Sequence, residues 1–215
     1  MNRDSHTETD VNDGICRQPE SAGAHAVAIR RMIEAAPPFR PEAAPEELVA
    51  EFANGENRMA AFLALYTRGR AALPAIRDGF HDANWQIRRW CAIFADSSAD
   101  GETLQALRPL LHDAKAEVRL WAVHSLSCEN CKDGPNPVDA VPLLLERIEQ
   151  DSSIKVRRQA VAMLAHHRSP DARVIPAFNK IAADESDKKL RLHAQQGLRR
   201  YAASGLLRFD NGKQD

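Results

Sequence analysis

The sequence predicts an all-α protein built as a solenoid of about five helix-pair repeats. Three observations support this fold class: a short motif recurs along the chain, its copies are regularly spaced, and each interval holds two helical runs. Periods of about 20–50 residues with two helices each are typical of stacked helical hairpins. A single hairpin cannot bury its own apolar face, so stacking is needed to form a core.

The recurring motif is an acidic residue followed at +5 by valine or isoleucine, at +6 by arginine and at +9 by alanine or cysteine. Three copies fit it closely, at 82–95, 113–126 and 151–164. A fourth, 184–198, fits with one extra residue before Leu190, and a fifth, 56–65, lacks the leading aspartate. The motif arginines are separated by 30, 31, 38 and 34 residues and are Arg58, Arg88, Arg119, Arg157 and Arg191.

The first helix of each pair is marked by its prolines. Pro74, Pro142 and Pro176 stand near the starts of their runs, where a missing N–H costs nothing. Pro109 instead lies inside its run, so we expect a kink there.

The second helix of each pair shows the clearest periodicity. Mostly apolar or small residues recur at 0, +3, +4, +7 and +8 from the Val, Ile or Leu of the motif, with Gln159 and His193 at +3 in the last two copies, which defines one face of a helix. The +4 residue is always small, which lets neighbouring helices approach closely. These residues are Cys91, Ala122, Ala160 and Ala194. The motif aspartates are expected to brace or cap the turns, and the arginines to bond an aspartate or carbonyl of a neighbouring repeat.

Composition suggests three regions. Residues 1–45 are predicted to be a disordered tail with a short helix at 24–36 and a proline-rich linker at 37–45, because prolines cannot continue a helix. Residues 46–205 form the repeat domain, and residues 206–215 a flexible tail.

The charge balance narrows the choice of partners and location. The formal net charge is −1, which disfavours a nucleic-acid partner. No apolar run approaches the length of a membrane span, and the amino-terminal residues lack the apolar core of a secretory signal. The expected location is therefore cytoplasmic, with no membrane partner.

The stretches LPAIRDGFHDANWQIRRWCA and VPLLLERIEQDSSIKVRRQAVAML resemble HEAT repeats, an armadillo-like helical repeat. Their short period resembles the HEAT-like repeats of the phycobilisome-lyase type. The resemblance covers roughly residues 46–203. It implies a right-handed α–α superhelix whose second helices line a concave surface, but this repeat serves many unrelated functions.

The sequence favours a small scaffold that binds a protein or peptide through that concave face. No catalytic constellation is present, so no catalytic residue is predicted and a non-enzymatic role is favoured. The candidate partner-binding residues are Trp85, Arg89, Trp90, Trp121 and Arg158. Trp90 and Trp121 occupy the same place in adjacent repeats, so a hydrophobic seam between repeats is the competing interpretation of those two.

Two other functions stay open at this point. One is a chromophore-lyase-like or other enzyme-associated subunit, resembling phycobilin lyases, in which cysteine or histidine acts on a partner protein. The other is a DNA glycosylase resembling the bacterial HEAT-like alkylpurine type, whose concave face uses Trp, Asp and Arg. The stretch DANWQIRRWCAIF has those residue types, but the near-neutral charge disfavours DNA.

A metal-ligand pattern follows the third pair. His124, Cys128 and Cys131 form His-x3-Cys-x2-Cys in the longest connection of the array. Two cysteines at this spacing can both reach one zinc ion. A structural zinc is the one cofactor suggested, and His166 or His167 on the next second helix is expected to complete the site. The alternatives are two reduced thiols in an ordinary loop or a redox dithiol.

Overall fold

The structure, a computed structural model, describes residues 24–129, 131–132, 136–167 and 170–205. The disorder predicted for residues 1–23 and the flexible tail predicted for 206–215 lie outside these residues. Throughout the described part of the chain, the regular secondary structure is helical. None of these helices combines the length and apolar character that a membrane crossing requires.

Among the described residues, five helix pairs follow one short helix, in line with the predicted solenoid. Helix α1 precedes them at Ala24–Ala35. The first helices of the pairs are α2 (Pro45–Ala50), α4 (Leu73–Gly79), α6 (Gly101–Leu107), α8 (Val141–Gln150) and α10 (Ile175–Asp184). The second helices are α3 (Arg58–Arg68), α5 (Trp85–Ser98), α7 (Ala116–Ser127), α9 (Ile154–Ala165) and α11 (Lys188–Ala203). Short 3-10 segments occur at Glu51–Ala53, Gly69–Ala72, Arg108–His112 and Ala172–Val174.

The second helices pack in sequence order, α3 on α5, α5 on α7, α7 on α9 and α9 on α11. Their predicted small positions lie at these contacts, and all four are fully buried: Cys91, Ala122, Ala160 and Ala194. Ser125 adds a buried hydrogen bond across the stack, donating from Oγ to the carbonyl of Ala92 at 2.7 Å. The result is one continuous core along the array.

The prolines act as the sequence predicts. Pro74, Pro142 and Pro176 lie in the first turns of α4, α8 and α10. Helix α6 ends at Leu107, and the chain continues as a 3-10 segment with Pro109 in its first turn. The expected kink is thus a change of helix type, because Pro109 has no N–H for an α-helical bond.

Three of the motif arginines, Arg88, Arg119 and Arg157, tie their repeat to the next one. Arg119 donates from Nε and Nη2 to the two carboxylate oxygens of Asp151 at 2.7 and 2.8 Å, and from Nη1 to the carbonyl of Asp113 at 2.8 Å. Arg88 bonds Asp113 and the carbonyl of Asp82 in the same way. This confirms the predicted bonding between repeats. We call the set of motif arginines and their acidic partners the arginine ladder.

The aspartates of the ladder brace the turns rather than cap the helices. Asp82, Asp113 and Asp151 each accept the backbone N–H two residues further on, at 2.7 to 2.8 Å. Helix α5 is capped instead by Asn84, whose side chain accepts the N–H of Gln86.

The fourth copy of the motif begins at Glu185, not at Asp184 as a motif led by aspartate predicts. Glu185 accepts the N–H of Asp187 at 3.0 Å and pairs with Arg157, and its carbonyl accepts from Arg191 at 2.7 Å. Glu185 precedes Arg191 by six residues, the same spacing as Asp82 and Arg88. The repeat therefore contains no extra residue, and a glutamate replaces the aspartate.

The segment before the repeats packs on the first pair. Ile29 of α1 is 5% exposed and Ala43 is 7% exposed. Arg68 of α3 donates to the carbonyls of Pro41 and Ala43. A short helix lies where one was predicted, and the proline-rich stretch after it is anchored to α3 by this arginine.

Candidate metal centre

Four potential metal ligands meet where α5 and α7 end. Asp96 lies in the last turn of α5 and His124 in the last turn of α7. Cys128 is the C-cap of α7, and Cys131 lies in the loop that follows. The site forms because α5 and α7 pack side by side, so that their carboxyl-terminal turns and the loop converge.

The geometry of the four side chains is compact. One ligand atom from each lies within 4.8 Å of all the others. His124 Nε2 lies 3.3 Å from Asp96 Oδ2 and 3.9 Å from Cys131 Sγ, and the two sulfurs are 3.1 Å apart. The residues are 1% exposed for Asp96 and Cys128, 4% for His124 and 9% for Cys131. We call these four residues the ligand cluster.

Within the ligand cluster, the buried carboxylate of Asp96 is the strongest indication of a cation site. Neither of its oxygens accepts a hydrogen bond of good geometry within the described part of the chain. Burial on its own raises the pKa of Asp96, but the nearby imidazole of His124 and the charge of Lys132 outweigh burial and hold that pKa below its ordinary value. An ionised carboxylate buried without well-formed hydrogen bonds is costly, and coordination of a cation would offset that cost.

Neighbouring residues are placed to support a bound cation. Gln159 of α9 lies with its amide nitrogen 3.1 Å from His124 Nδ1. With this amide turned about its terminal bond, its oxygen accepts a hydrogen bond from the Nδ1–H of His124. Nε2 then carries the lone pair that a metal would bind, and a hydrogen bond from the other ring nitrogen is usual for histidine ligands.

Lys132 closes the site and supplies positive charge. Its ammonium donates to the carbonyls of Ser125 and Cys128 at 2.7 and 2.9 Å, which satisfies the carboxyl-terminal end of α7. It also lies 3.9 Å from Asp96 Oδ1. A doubly charged cation with one carboxylate and two thiolates leaves one negative charge, which this lysine can balance.

The structure brings together three of the five residues that the sequence proposed as ligands. His124, Cys128 and Cys131 belong to the ligand cluster, whereas His166 and His167 do not. His166 is exposed at the end of α9, and His167 Nε2 lies 3.5 Å from a carboxylate oxygen of Glu129.

Asp96 is the ligand that sequence reasoning missed. It lies 28 residues before His124, on the preceding second helix, so no local spacing connects the two. One signal could have found it. Asp96 is the only acidic residue of α5, and it lies in the last turn, where the helix dipole disfavours negative charge.

The two tryptophans proposed for partner binding are core residues. Trp90 is 6% exposed and Trp121 is 2% exposed, so their proposed role as partner-binding residues is corrected. Trp90 packs against Phe52 and Phe62 with ring centroids 6.0 Å away. Both tryptophans stand at +3 of the buried helix face, and the competing interpretation as a hydrophobic seam is the one that the structure bears out.

The other proposed partner-binding residues are half-buried. Trp85 begins α5 and packs against the core, and Arg89 follows one turn later. Arg158 of α9 forms a two-bond ion pair with Asp187, the N-cap of α11. This pair joins the last two repeats and accounts for the position of Arg158 without a partner protein.

Comparisons with known proteins identify the repeat type. A sequence profile of HEAT repeats matches residues 45–127 and 131–205. Among solved structures, the crystal structure of an engineered protein is 19% identical, covering 86% of this chain and 93% of its own, with a TM-score of 0.48. No curated protein matches the sequence significantly.

Proposed function

The chain belongs to the HEAT-repeat family, and on that premise we propose that it is a protein-binding scaffold whose middle repeats are held together by one structural zinc ion. The observation that carries the proposal is the ligand cluster, four buried donors from two neighbouring repeats and the loop after them. The choice of metal, the role of the metal and the mode of partner binding follow in turn.

The donor set favours zinc. Two thiolates, one imidazole and one carboxylate oxygen are ligands that zinc accepts in four-coordinate sites, whereas magnesium and calcium prefer oxygen donors alone. All four donors come from the protein and all are buried, which leaves no open position for a substrate. A role in structure rather than in catalysis is therefore favoured. A redox dithiol would use Cys128 and Cys131 but would leave the burial of Asp96 unexplained.

A bound zinc would stiffen the centre of the array. Asp96 belongs to the second pair, His124 to the third, and Cys131 to the loop leading to the fourth. In repeat proteins each unit contacts only its neighbours, so a crosslink between units limits how far they can separate. Because the free energy of metal binding becomes free energy of folding, the ion would anchor a loop that is long for the array.

Partner binding is supported by the architecture. Stacked helix pairs present an extended surface, and such surfaces commonly bind proteins or peptides. Of the candidates predicted from the sequence, Trp85, Arg89 and Arg158 are partly exposed. Arg158 is already paired with Asp187, so Trp85 and Arg89 on α5 are the candidates that we retain. The residues that suggested a glycosylase lend that alternative no support, since Trp90 is buried and Arg88 is bonded to Asp113.

The alternative of a chromophore-lyase-like subunit also gains no support from the site. That alternative needs a cysteine or histidine that can act on a partner protein. The candidates for this role are His124, Cys128 and Cys131, and all three are buried together. A chromophore could not reach them without opening the loop.

Metal content tests the zinc centre directly. Protein purified without chelators should contain about one zinc per chain, and a strong chelator should lower its thermal midpoint. Asp96→Asn should lose the metal, while His166→Ala, which removes the histidine that only the sequence favoured, should retain it. Absence of stoichiometric metal together with identical melting in both conditions would refute the zinc centre and leave two plain thiols.

Partner capture tests the scaffold. Crosslinking in a native lysate should recover a defined protein with the wild-type chain and much less with Arg89→Glu. Lys180→Glu, at an exposed position of α10, is the matched charge reversal away from α5. Equal recovery by both variants would show that the surface around Arg89 is not the binding site.

A further inference from the structure

The last helix of the array has an outer face that carries only positive charge. Helix α11 spans sixteen residues with no aspartate or glutamate among them. The exposed residues lie on one side of the helix by its 3.6-residue period. They are Lys188, Lys189, Leu192, Gln196, Arg199, Arg200 and Ala203. We call the part formed by Lys188, Lys189, Leu192 and Arg199 the basic face.

The basic face is uncovered in the described part of the chain. Helix α11 packs on α9 and α10 through its opposite side, where Leu190, Ala194, Gly197 and Tyr201 are buried. Leu192 is 46% exposed, one of few large apolar side chains so far exposed among the described residues. An apolar side chain surrounded by cations is suited to anchor a partner that is both acidic and apolar.

The two lysines of the basic face do not stabilise the helix on which they lie. Lys188 and Lys189 occupy the first turn, where the helix dipole disfavours cations. Two of the acidic residues just before the helix are already paired, Glu185 with Arg157 and Asp187 with Arg158. Within the described ranges, no carboxylate forms an ion pair with the three cations of the basic face. Their placement is better explained by a ligand than by stability.

We propose that the basic face binds an acidic segment of a partner protein, with Leu192 contacting an apolar side chain of that segment. The proposal rests on the protein-binding role proposed above and assigns the partner a chemical class. A sixteen-residue helix is about 24 Å long, enough for a short acidic helix or an extended segment of about seven residues.

The surface favours protein over nucleic acid. A nucleic-acid surface usually combines cations with aromatic side chains on which bases stack, and the exposed side of α11 has none. Its central side chain is a leucine, and the formal net charge of the whole chain is −1. Acidic side chains interspersed with apolar ones match this arrangement better than a phosphate backbone does.

Fluorescence anisotropy with a labelled synthetic peptide tests the assignment. The probe is a peptide of about twelve residues that alternates glutamate with leucine and alanine, long enough to cover the helix face. The full chain should bind it, and binding should weaken as salt rises. A peptide with glutamine in place of glutamate, and a single-stranded DNA of equal charge, serve as competitors.

Variants locate the site. Lys189→Glu combined with Arg199→Glu should raise the Kd at least about tenfold, because two attractive charges become repulsive. Leu192→Ala should raise it by about threefold through lost apolar contact. Lys115→Glu, at an exposed position in the turn before α7, should change it by less than about twofold, since it reverses a charge two repeats away from α11.

Each remaining outcome bears on the proposal. Equal binding of the glutamine peptide, tighter binding of the DNA, or unchanged binding by the double variant would overturn it. Zinc content and thermal midpoint are measured on every variant. If the chain retains zinc but does not bind the peptide, the proposed role of the basic face is refuted and the zinc centre stands. If the wild-type chain contains no zinc, the proposed structural zinc is refuted, and peptide binding is judged separately.

Discussion

The most buried ion pair of the arginine ladder, Arg119 with Asp151, gives the sharpest test of the fold. Arg119 and Asp151 are joined by two charge-assisted hydrogen bonds, and their side chains are 10% and 0% exposed. Asp151 also accepts the backbone N–H of Ser153 at 2.8 Å. The perturbation is Asp151→Asn, which removes the negative charge and keeps the size of the side chain.

The expected cost follows from what remains after the change. Removing one partner of a buried ion pair costs about 3–5 kcal/mol, because the other charge stays buried without compensation. The amide oxygen can keep the bond from Ser153 and one bond from Arg119, so we expect the lower end of that range, about 3 kcal/mol. For a chain of this size that corresponds to a thermal midpoint about 6–12 °C lower.

The pH dependence of stability shows how much of the effect of Asp151→Asn comes from the lost charge of Asp151. Burial alone raises the pKa of Asp151, but hydrogen bonds from Arg119 and Ser153, with the charge of Arg119, overcome burial and hold that pKa below its ordinary value. A depressed folded pKa gives stability that is complete above the unfolded pKa, about 4, and is lost as pH falls through the folded pKa. The gap in stability between wild type and Asp151→Asn should therefore narrow in acid.

An exposed pair provides the matched control. Arg173 and Asp139 also form two hydrogen bonds across a repeat junction, but their side chains are 52% and 56% exposed. Asp139→Asn should leave the thermal midpoint nearly unchanged, since exposed pairs contribute little. Equal effects of Asp139→Asn and Asp151→Asn on the thermal midpoint would refute the argument that burial makes the Arg119–Asp151 pair strong. So would a stability difference between wild type and Asp151→Asn that stays constant with pH.

Two further changes test the packing. Gly197→Ala should lower the free energy of unfolding by about 1–3 kcal/mol, because the added Cβ would lie 2.2 Å from Phe178 Cε2. This loss should outweigh the higher helix propensity of alanine. Chemical denaturation measures the change, and a more stable variant would mean that Phe178 can move aside. Deleting residues 1–43 should lower the thermal midpoint while cooperative melting persists, because Ile29 is buried against the first pair; unchanged melting by circular dichroism would show that this segment contributes nothing to the core.

The repeat period made much of the fold predictable. Side chains at fixed intervals define the buried face, so periodicity alone assigns Ala122 and Ala160 to helix contacts, and both are fully buried. The same logic places Trp90 and Trp121 in the core, and it proved stronger than the tendency of tryptophan to occur at interfaces. A search restricted to aspartate missed Glu185, which keeps the spacing and the bonds with a longer side chain.

The ligand cluster was only partly predictable. His124, Cys128 and Cys131 are close in sequence, and their spacing alone marks them as candidate ligands. Asp96 is distant in sequence and joins them only because α5 packs beside α7 with a particular axial offset. Helix periodicity specifies which face is buried but does not specify this offset, so it could not identify a ligand from the neighbouring repeat.

The arginine ladder gives the array a head and a tail, as in a polymer whose ends differ. Arg88, Arg119 and Arg157 each reach forward to the acid of the following turn. At the head, Phe52 stands where other repeats carry that acid, six residues before Arg58, so this position offers no carboxylate to an arginine from an added unit. At the tail, Arg191 bonds the carbonyl of its own turn, and the described residues supply no following acid. New repeats could therefore be grafted in one direction only, after α11, provided that the added turn begins with aspartate or glutamate.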